Sequence, residues 1–172
     1  MGRVDSRPPS HETVDEHFAS LGGGPGRPAV RYWDASALVP LIVSEPGSRL
    51  ARAWLQEDDR VVTWAWTRTE ITSAIERRAR EGTLNREERR TALDRLRGFA
   101  AGWDEIIDLL AVRARANAVL ARHPLRAADA GHLGAALLVN EQLSDPLVFL
   151  CFDQRLCDAA EREGLGVAAT GD

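Results

Sequence analysis

The sequence predicts an α/β fold in which helices cover a central, mainly parallel sheet. Short apolar segments alternate with segments of helical spacing over about 140 residues. The strand-like segments are apolar on both faces, which is typical of parallel strands covered from both sides. The chain has 172 residues, of which 44% are hydrophobic and 28% charged, as expected for one folded domain.

The first 29 residues differ in composition from the rest of the chain. Residues 21–28 read LGGGPGRP, and two further prolines stand at positions 8 and 9. Glycine and proline at this density oppose regular structure. We therefore expect a flexible leader over residues 1–29 and a folded domain over residues 30–172.

The strands are predicted from short runs of apolar, β-branched and aromatic residues, bounded by polar or turn-forming residues. In chain order the predicted strands are residues 30–33, 60–66, 105–107, 146–152 and 165–168.

The helices are predicted from apolar residues that recur every three or four positions. Asn85 and Glu88 form a capping box that begins one of them. Another is rich in alanine and therefore thin enough to lie close to a sheet. After a short helix that follows Asp34, the predicted helices are residues 48–56, 67–80, 86–101, 109–122, 127–139 and 154–163.

Every one of the 22 basic residues is arginine. The absence of lysine excludes Schiff-base chemistry and a phosphate-binding loop, which both need a lysine. The net charge is -4, yet residues 67–97 contain nine arginines against six acidic residues. Arg86 and Arg90 are candidate contacts for RNA phosphates. The alternative for these arginines is a solvated, ion-paired face, with Glu76 and Arg80 as one pair.

The sequence favours a cytoplasmic protein without a membrane partner. No apolar run approaches the roughly 20 residues that span a bilayer, and the N-terminus lacks the apolar core of a signal peptide. The only cysteines, Cys151 and Cys157, lie in a predicted strand and helix, where we expect reduced thiols.

Four acidic residues follow predicted strands or open predicted helices. Asp34 and Asp153 end two strands, while Glu70 and Asp129 lie in the first turns of two helices. In parallel sheets the carboxyl ends of the strands meet at one edge, where ligands bind. Carboxylates gathered there repel one another, and Mg²⁺ or Mn²⁺ is the usual counter-ion. The pattern therefore predicts metal-dependent phosphoryl chemistry.

Each acid also has a purely structural explanation. Asp34 and Asp153 fit helix N-caps, Glu70 fits a capping box with Thr67, and Asp129 suits the positive end of its helix. The number of these acids and their placement favour a shared site.

Four motifs surround these acids in order: YWDASAL at 32–38, TEI at 69–71, LRAADAGHL at 125–133 and FDQRL at 152–156. Together with SEPGS at 44–48, they resemble the motifs of PIN-domain ribonucleases, particularly the VapC toxins of bacterial toxin–antitoxin pairs. The resemblance spans residues 30–167. It implies a PIN-like three-layer α/β/α sandwich that cleaves RNA with Mg²⁺ or Mn²⁺, is inhibited by a cognate antitoxin and frequently forms a homodimer.

The resemblance also implies roles for individual residues. Asp34, Glu70, Asp129 and Asp153 match the catalytic, metal-binding acids of the family. Ser36 matches a hydroxyl residue that supports the site by hydrogen bonding, with a helix cap as the alternative. The alternative function is a non-catalytic PIN-like module that binds RNA or protein. A third class, the phosphohydrolases of the haloacid dehalogenase type, is set aside. Its members need a second aspartate two residues after the first, and this chain has Ser36 at that position.

Other conspicuous residues receive structural predictions first. His132 shares the helical face of Asp129, and we expect it to form hydrogen bonds near the site rather than bind metal. We expect His123 and Arg155 at the surface. Gly131 stands where the family more often has a larger apolar residue, and it should loosen its helix by roughly 1 kcal/mol.

The tryptophans could stack on RNA bases, but their apolar neighbours favour the core or a dimer interface. This prediction covers Trp54, Trp64 and Trp66.

Overall fold

A computed structural model describes residues 29–169 of the chain. Nearly all of the predicted leader, and residues 170–172, lie outside the described residues. Five parallel strands form one sheet in the order β3-β2-β1-β4-β5. The strands are β1 (Arg31–Trp33), β2 (Val62–Trp64), β3 (Asp104–Ile106), β4 (Val148–Leu150) and β5 (Gly166–Val167).

Seven helices connect these strands within the described part of the chain. They are α1 (Ala35–Ile42), α2 (Ser48–Glu57), α3 (Thr67–Arg80), α4 (Arg86–Ala100), α5 (Leu109–Leu120), α6 (Ala127–Asn140) and α7 (Gln154–Arg162). The predicted helices are confirmed within about two residues, which is the usual uncertainty of helix ends. None of the helices in residues 29–169 is long and apolar enough to cross a bilayer.

Alternate residues along the strands point into two separate cores. Tyr32 and Phe149 pack on the face covered by α5, α6 and α7. Trp33 and Leu150 point to the opposite face, where α1 to α4 lie. Because both faces of the sheet are buried, the strand-like segments are apolar throughout. The three-layer α/β/α sandwich is therefore confirmed.

The strand order reverses direction between β1 and β4, the two neighbours in the middle of the sheet. From β1 the chain moves outward through β2 to β3, and it then crosses to β4 on the other side of β1. Ligands of open α/β sheets bind in the crevice beyond the carboxyl ends at such a point. The amide of Asp34 donates to the carbonyl of Leu150 at 3.0 Å, which ties the ends of the two strands together.

Helices α5 and α6 pack unusually closely at Gly134. A β-carbon built on Gly134 would lie 2.8 Å from both the amide nitrogen of Ala116 and the carbonyl oxygen of Val112. These are backbone atoms and cannot rotate away. Glycine at this position therefore sets the distance between α6 and α5.

His123 is not at the surface, so that prediction is wrong. The residue is buried, and its Nε2 lies 2.6 Å from Oε1 of Glu163. Glu163 also accepts two hydrogen bonds from Arg122, at 2.8 and 2.9 Å. The hydrogen bonds from Arg122 lower the pKa of Glu163 below its ordinary value. Burial opposes this effect, and the hydrogen bond with His123 adds to it. The imidazole can be buried because Glu163, 40 residues away in the sequence, satisfies its hydrogen bond.

Two acidic residues pair with arginines on neighbouring elements. Glu76 takes Arg89 of α4 as its hydrogen-bonded partner, with Nε to Oε2 at 2.8 Å, and the predicted partner Arg80 acts on it only through its charge. Glu105 of β3 binds Arg68 at 2.6 Å. Both hydrogen-bonded partners are distant in the sequence.

The tryptophans divide between core and surface. Trp54 is buried and stacks on Phe152 with ring centroids 5.1 Å apart. Trp64 is half-buried. Trp66 is 55% exposed, which excludes the core and leaves the dimer interface of the two alternatives. The reason is that β2 ends at Trp64, two residues before the predicted end of the strand.

Candidate active site

Asp34 and Asp153 lie at the carboxyl ends of β1 and β4, each capping the helix that follows. Oδ2 of Asp34 accepts from the amide of Ser36 at 2.9 Å. Oδ1 of Asp153 accepts from the amides of Arg155 and Leu156 at 2.9 and 3.2 Å. The capping alternative is thus correct for both residues, and it holds both carboxylates at the crevice between β1 and β4.

The carboxylate of Asp34 is buried and has a thiol beside it. Asp34 is only 6% exposed, and Sγ of Cys151 lies 3.6 Å from its Oδ2. Contact with Cys157, burial and the charge of Asp34 raise the pKa of the Cys151 thiol. Cys151 therefore keeps its proton and donates it to Asp34.

Asp129 projects from the first turn of α6 and is half-buried. Its Oδ2 accepts a 3.3 Å hydrogen bond from the amide of Arg126. Burial raises the pKa of Asp129, the Arg126 amide opposes this rise, and the charges of Asp34 and Asp153 add to it. The charges of two acids that are distant in the sequence therefore act on Asp129 at the same edge of the sheet.

Glu70 binds a histidine and does not form the capping box that was its structural alternative. The N-cap of α3 is Trp66, and the hydroxyl of Thr67 is 2.7 Å from that of Thr63. Oε2 of Glu70 lies 2.5 Å from Nε2 of His132 on α6. The carboxylate is therefore directed across the sheet edge towards the helix that carries Asp129.

His132 is a buried, hydrogen-bonded residue beside the acids, which confirms the prediction. Besides its bond to Glu70, its Nδ1 lies 3.6 Å from Oδ1 of Asp34. Burial lowers the pKa of His132, but the charge of Asp34 and the hydrogen bond and charge of Glu70 outweigh it, so the pKa is raised. The imidazole links two of the four acids.

Ser36 joins the beginning of α1 to the turn after β4. Its hydroxyl accepts from the amide of Phe152 at 2.9 Å and lies 3.5 Å from Sγ of Cys151. Through these contacts Ser36 fixes the segment that leads to Asp153. This arrangement suits a supporting role better than a simple helix cap, because the hydroxyl binds the neighbouring segment.

Of the arginines considered above, Arg86 and Arg90 lie far from the acids, whereas Arg155 lies beside Asp153. Arg86 and Arg90 are exposed near the start of α4. They follow the turn at the far end of α3, about 15 Å along that helix from Glu70 at 1.5 Å per residue. Their contact with RNA stays a prediction. Arg155 is at the surface as expected, with a 70% exposed side chain and its Nε 4.0 Å from Asp153.

Gly131 has a packing role that the sequence did not reveal. A β-carbon on Gly131 would lie 2.5 Å from the ring of Trp64. The same ring meets the imidazole of His132 edge-on, with centroids 5.7 Å apart. Glycine at position 131 therefore leaves room for the indole of Trp64 beside His132. In the sequence, the only signal of this contact is that a large residue at 64 is matched by a small residue at 131.

The acids have the donor chemistry of a hard-cation site. Asp34, Asp129 and Asp153 offer only oxygen ligands, and burial, with the charges of Asp34 and Asp153, raises the pKa of Asp129. Within residues 29–169, no three or more His, Cys, Asp or Glu side chains form a group able to hold a metal ion. Mg²⁺ is commonly held by one or two carboxylates and keeps several waters. The residues present fit that mode of binding.

Comparison with known proteins places the chain in a family. The family model of the PIN domain matches residues 31–162. The chain belongs to the PIN-domain family. It is 34% identical over 138 residues to two Mycobacterium tuberculosis proteins, Ribonuclease VapC45 of strain CDC 1551 and Ribonuclease VapC49 of strain H37Rv, covering 80% of this chain and 93% of each relative. It is 28% identical over 144 residues to Ribonuclease VapC47 of strain CDC 1551, covering 81% of this chain and 96% of that relative.

The match makes this a PIN domain of the VapC type and confirms the resemblance drawn from the motifs. The matched region begins at the first residue of β1 and ends at the last residue of α7. It therefore includes all four acids of the PIN domain together with Ser36 and His132.

Proposed function

We propose that this PIN domain is the toxin of a toxin–antitoxin pair and an endoribonuclease that hydrolyses phosphodiester bonds in RNA. The observation that carries the proposal is the placement of Asp34 and Asp153 at the carboxyl ends of the paired strands β1 and β4, with Asp129 in the first turn of α6 at the same edge. The relatives named as VapC ribonucleases, 34% identical to this chain, support the same activity.

We propose that the site takes Mg²⁺ or Mn²⁺, with Asp34, Asp129, Asp153 and Glu70 as its candidate ligands, one or two of them binding the ion directly and the others through its waters. A bound ion of this kind supplies a more acidic water and offsets the charge that develops on the phosphate. A cation would offset the repulsion by Asp34 and Asp153 that, after burial, raises the pKa of Asp129. All four acids are thus assigned as catalytic residues.

The protein's own residues prepare the site before any substrate binds. Helix N-termini fix the carboxylates of Asp34 and Asp153, so neither has to be reoriented during the reaction. Cys151 closes the buried side of Asp34, which directs the acid towards the crevice. Ser36 supports Asp153 by holding the amide of Phe152.

The partners proposed are an RNA substrate, a cognate antitoxin and a second copy of the chain, all in the cytoplasm. Four large apolar side chains favour the homodimer, because they are exposed close together at the carboxyl ends of β2 and β3. They are Trp66, Ile107, Leu109 and Leu110, with exposures of 55%, 70%, 61% and 64%.

Sedimentation equilibrium at micromolar concentration is expected to give twice the monomer mass of 18.9 kDa. A monomer at all concentrations would contradict this part of the proposal.

The direct test of the activity is RNA cleavage by the Asp34→Asn variant. Purified wild-type protein is expected to cut cellular RNA in the presence of Mn²⁺. Asp34→Asn should reduce the rate by about 10²-fold or more, because a preorganised charge is lost from the reaction site. Asparagine still accepts the hydrogen bond from Ser36, so α1 should remain capped.

The matched control is Asp145→Asn, which makes the same chemical change in an exposed residue that precedes β4 at the opposite edge of the sheet. Its cleavage rate should equal that of wild type. Equal cleavage by Asp34→Asn and wild type would refute the catalytic assignment and favour the non-catalytic binding module.

A further inference from the structure

His132 stands at the centre of a buried hydrogen-bonded chain that connects three layers of the fold. The hydroxyl of Tyr32 on β1 lies 3.0 Å from its Nδ1, and Oε2 of Glu70 on α3 lies 2.5 Å from its Nε2. The exposed fraction of His132 is 1%, and that of Tyr32 is 0%. We call Tyr32, His132 and Glu70 the Tyr–His–Glu chain.

Aromatic rings leave this imidazole little freedom to turn. The rings of Trp64 and Tyr32 meet it edge-on, with interplanar angles of 86° and 77°. Tyr32 is in turn stacked on Phe149, with ring centroids 5.3 Å apart. The orientation of the imidazole is therefore set by the sheet rather than by Glu70.

The direction of the hydrogen bonds follows from the partners. When the ring is neutral, the hydroxyl of Tyr32 donates to Nδ1 and the ring proton on Nε2 is donated to Glu70. When the ring is doubly protonated, Nδ1 donates to the hydroxyl of Tyr32 and Nε2 still donates to Glu70. The bond to Glu70 thus has the same direction in both charge states.

We propose that His132, supported by Tyr32, is a positioning residue for Glu70 in the cleavage reaction. Glu70 is carried by α3, whereas Asp129 is carried by α6 on the other face of the sheet. The Tyr–His–Glu chain connects α3 and α6 across that edge, and it fixes one carboxylate oxygen of Glu70 relative to Asp34. This inference rests on the proposed function, since it assigns a role within the same site.

The test compares kcat and KM for RNA cleavage in three variants. His132→Leu removes both hydrogen bonds and should lower kcat by about 10- to 100-fold, as loss of residues that orient site ligands does. KM should change by less than about threefold, because His132 does not contact the RNA. His132→Gln can still donate to Glu70 and should recover most of kcat.

Coupling to Tyr32 separates positioning from a general structural role. Tyr32→Phe should lower kcat by itself but add no further loss to His132→Leu, because Tyr32 acts through the imidazole. The matched control is His123→Gln, since His123 is also buried with Nε2 bonded to a glutamate, Glu163. This control should leave kcat unchanged. The proposal would be overturned if the kcat losses of Tyr32→Phe and His132→Leu multiplied in the double variant, or if His132→Gln did not recover kcat.

Proton NMR tests the Tyr–His–Glu chain without measuring RNA cleavage. It therefore distinguishes a failure of this inference from a failure of the proposed ribonuclease function. In metal-free protein, proton NMR should show a slowly exchanging Nε2 proton of His132 whose signal shifts in both Tyr32→Phe and Glu70→Gln. A rapidly exchanging proton would contradict the Tyr–His–Glu chain. Wild-type protein that shows this signal but cleaves no RNA would contradict the proposed function and not the chain.

Discussion

Replacement of Asp129 by asparagine is expected to abolish most RNA cleavage while leaving the protein at least as stable as wild type. The cleavage rate should fall by about 10²- to 10³-fold, since a charge in the proposed site is lost. Stability should not fall, because the folded protein holds this carboxylate at a raised pKa through burial and repulsion by Asp34 and Asp153. Asparagine removes the charge and still accepts from the amide of Arg126.

The sign of the pH dependence follows from the raised pKa. A carboxyl group whose pKa rises on folding favours the folded state when protonated, and this contribution is lost as pH rises through the folded pKa. Wild type should therefore lose stability relative to Asp129→Asn as pH rises above 3.8, the ordinary value of the group. Thermal unfolding from pH 4 to 7 measures the difference.

Added Mn²⁺ supplies the matching control for the same pair. An ion that binds the folded protein raises its melting temperature by mass action. The increase should be present in wild type and in Asp145→Asn, and it should be much smaller in Asp129→Asn. A variant that is clearly less stable at pH 7, or that gains as much from Mn²⁺ as wild type, would contradict the role of Asp129.

Replacement of Gly134 by alanine is expected to destabilise the protein by about 2–3 kcal/mol, the upper range for overpacking a core. The new methyl group would collide with backbone atoms of Ala116 and Val112, so α5 must move away from α6. This cost outweighs the gain of about 1 kcal/mol that alanine brings to a helix interior. Urea unfolding gives the change in free energy.

Gly98→Ala is the control, because Gly98 also lies inside a helix but has no atom within 4 Å of a built β-carbon. Here only the gain in helix propensity operates, and the free energy of unfolding should rise by about 0.5–1 kcal/mol. Opposite signs for the two substitutions would identify close helix packing as the cause. A stabilising Gly134→Ala would show that α5 and α6 separate easily.

The sequence was sufficient to predict the helices and the edge of the sheet where the acids lie. Helical spacing and caps such as Asn85 are local signals, and acids after apolar runs mark the carboxyl ends of strands. The strands were predicted too long around residues 60–66 and 146–152, because burial on both faces keeps the chain apolar beyond the hydrogen-bonded ladder. Trp66 lies beyond the end of the shorter strand and is exposed.

Contacts between distant residues could not be predicted in this way. Glu70 and His132 are 62 residues apart, and His123 and Glu163 are 40 apart. In neither pair do the residues next to one partner in the sequence indicate which residue is the other partner. For the same reason Gly131 was interpreted as a weak helix position, although its neighbour across the fold, Trp64, explains it.

The adjacency of β1 and β4 has a consequence for synthesis of the protein. Asp34 belongs to the first strand to leave the ribosome, yet Asp153 follows a strand made more than a hundred residues later. A nascent chain or an early-terminated fragment lacks β4 and therefore has no crevice for RNA. The crevice is therefore formed only after synthesis has passed β4 and Asp153, and a fragment that stops before β4 should cleave no RNA.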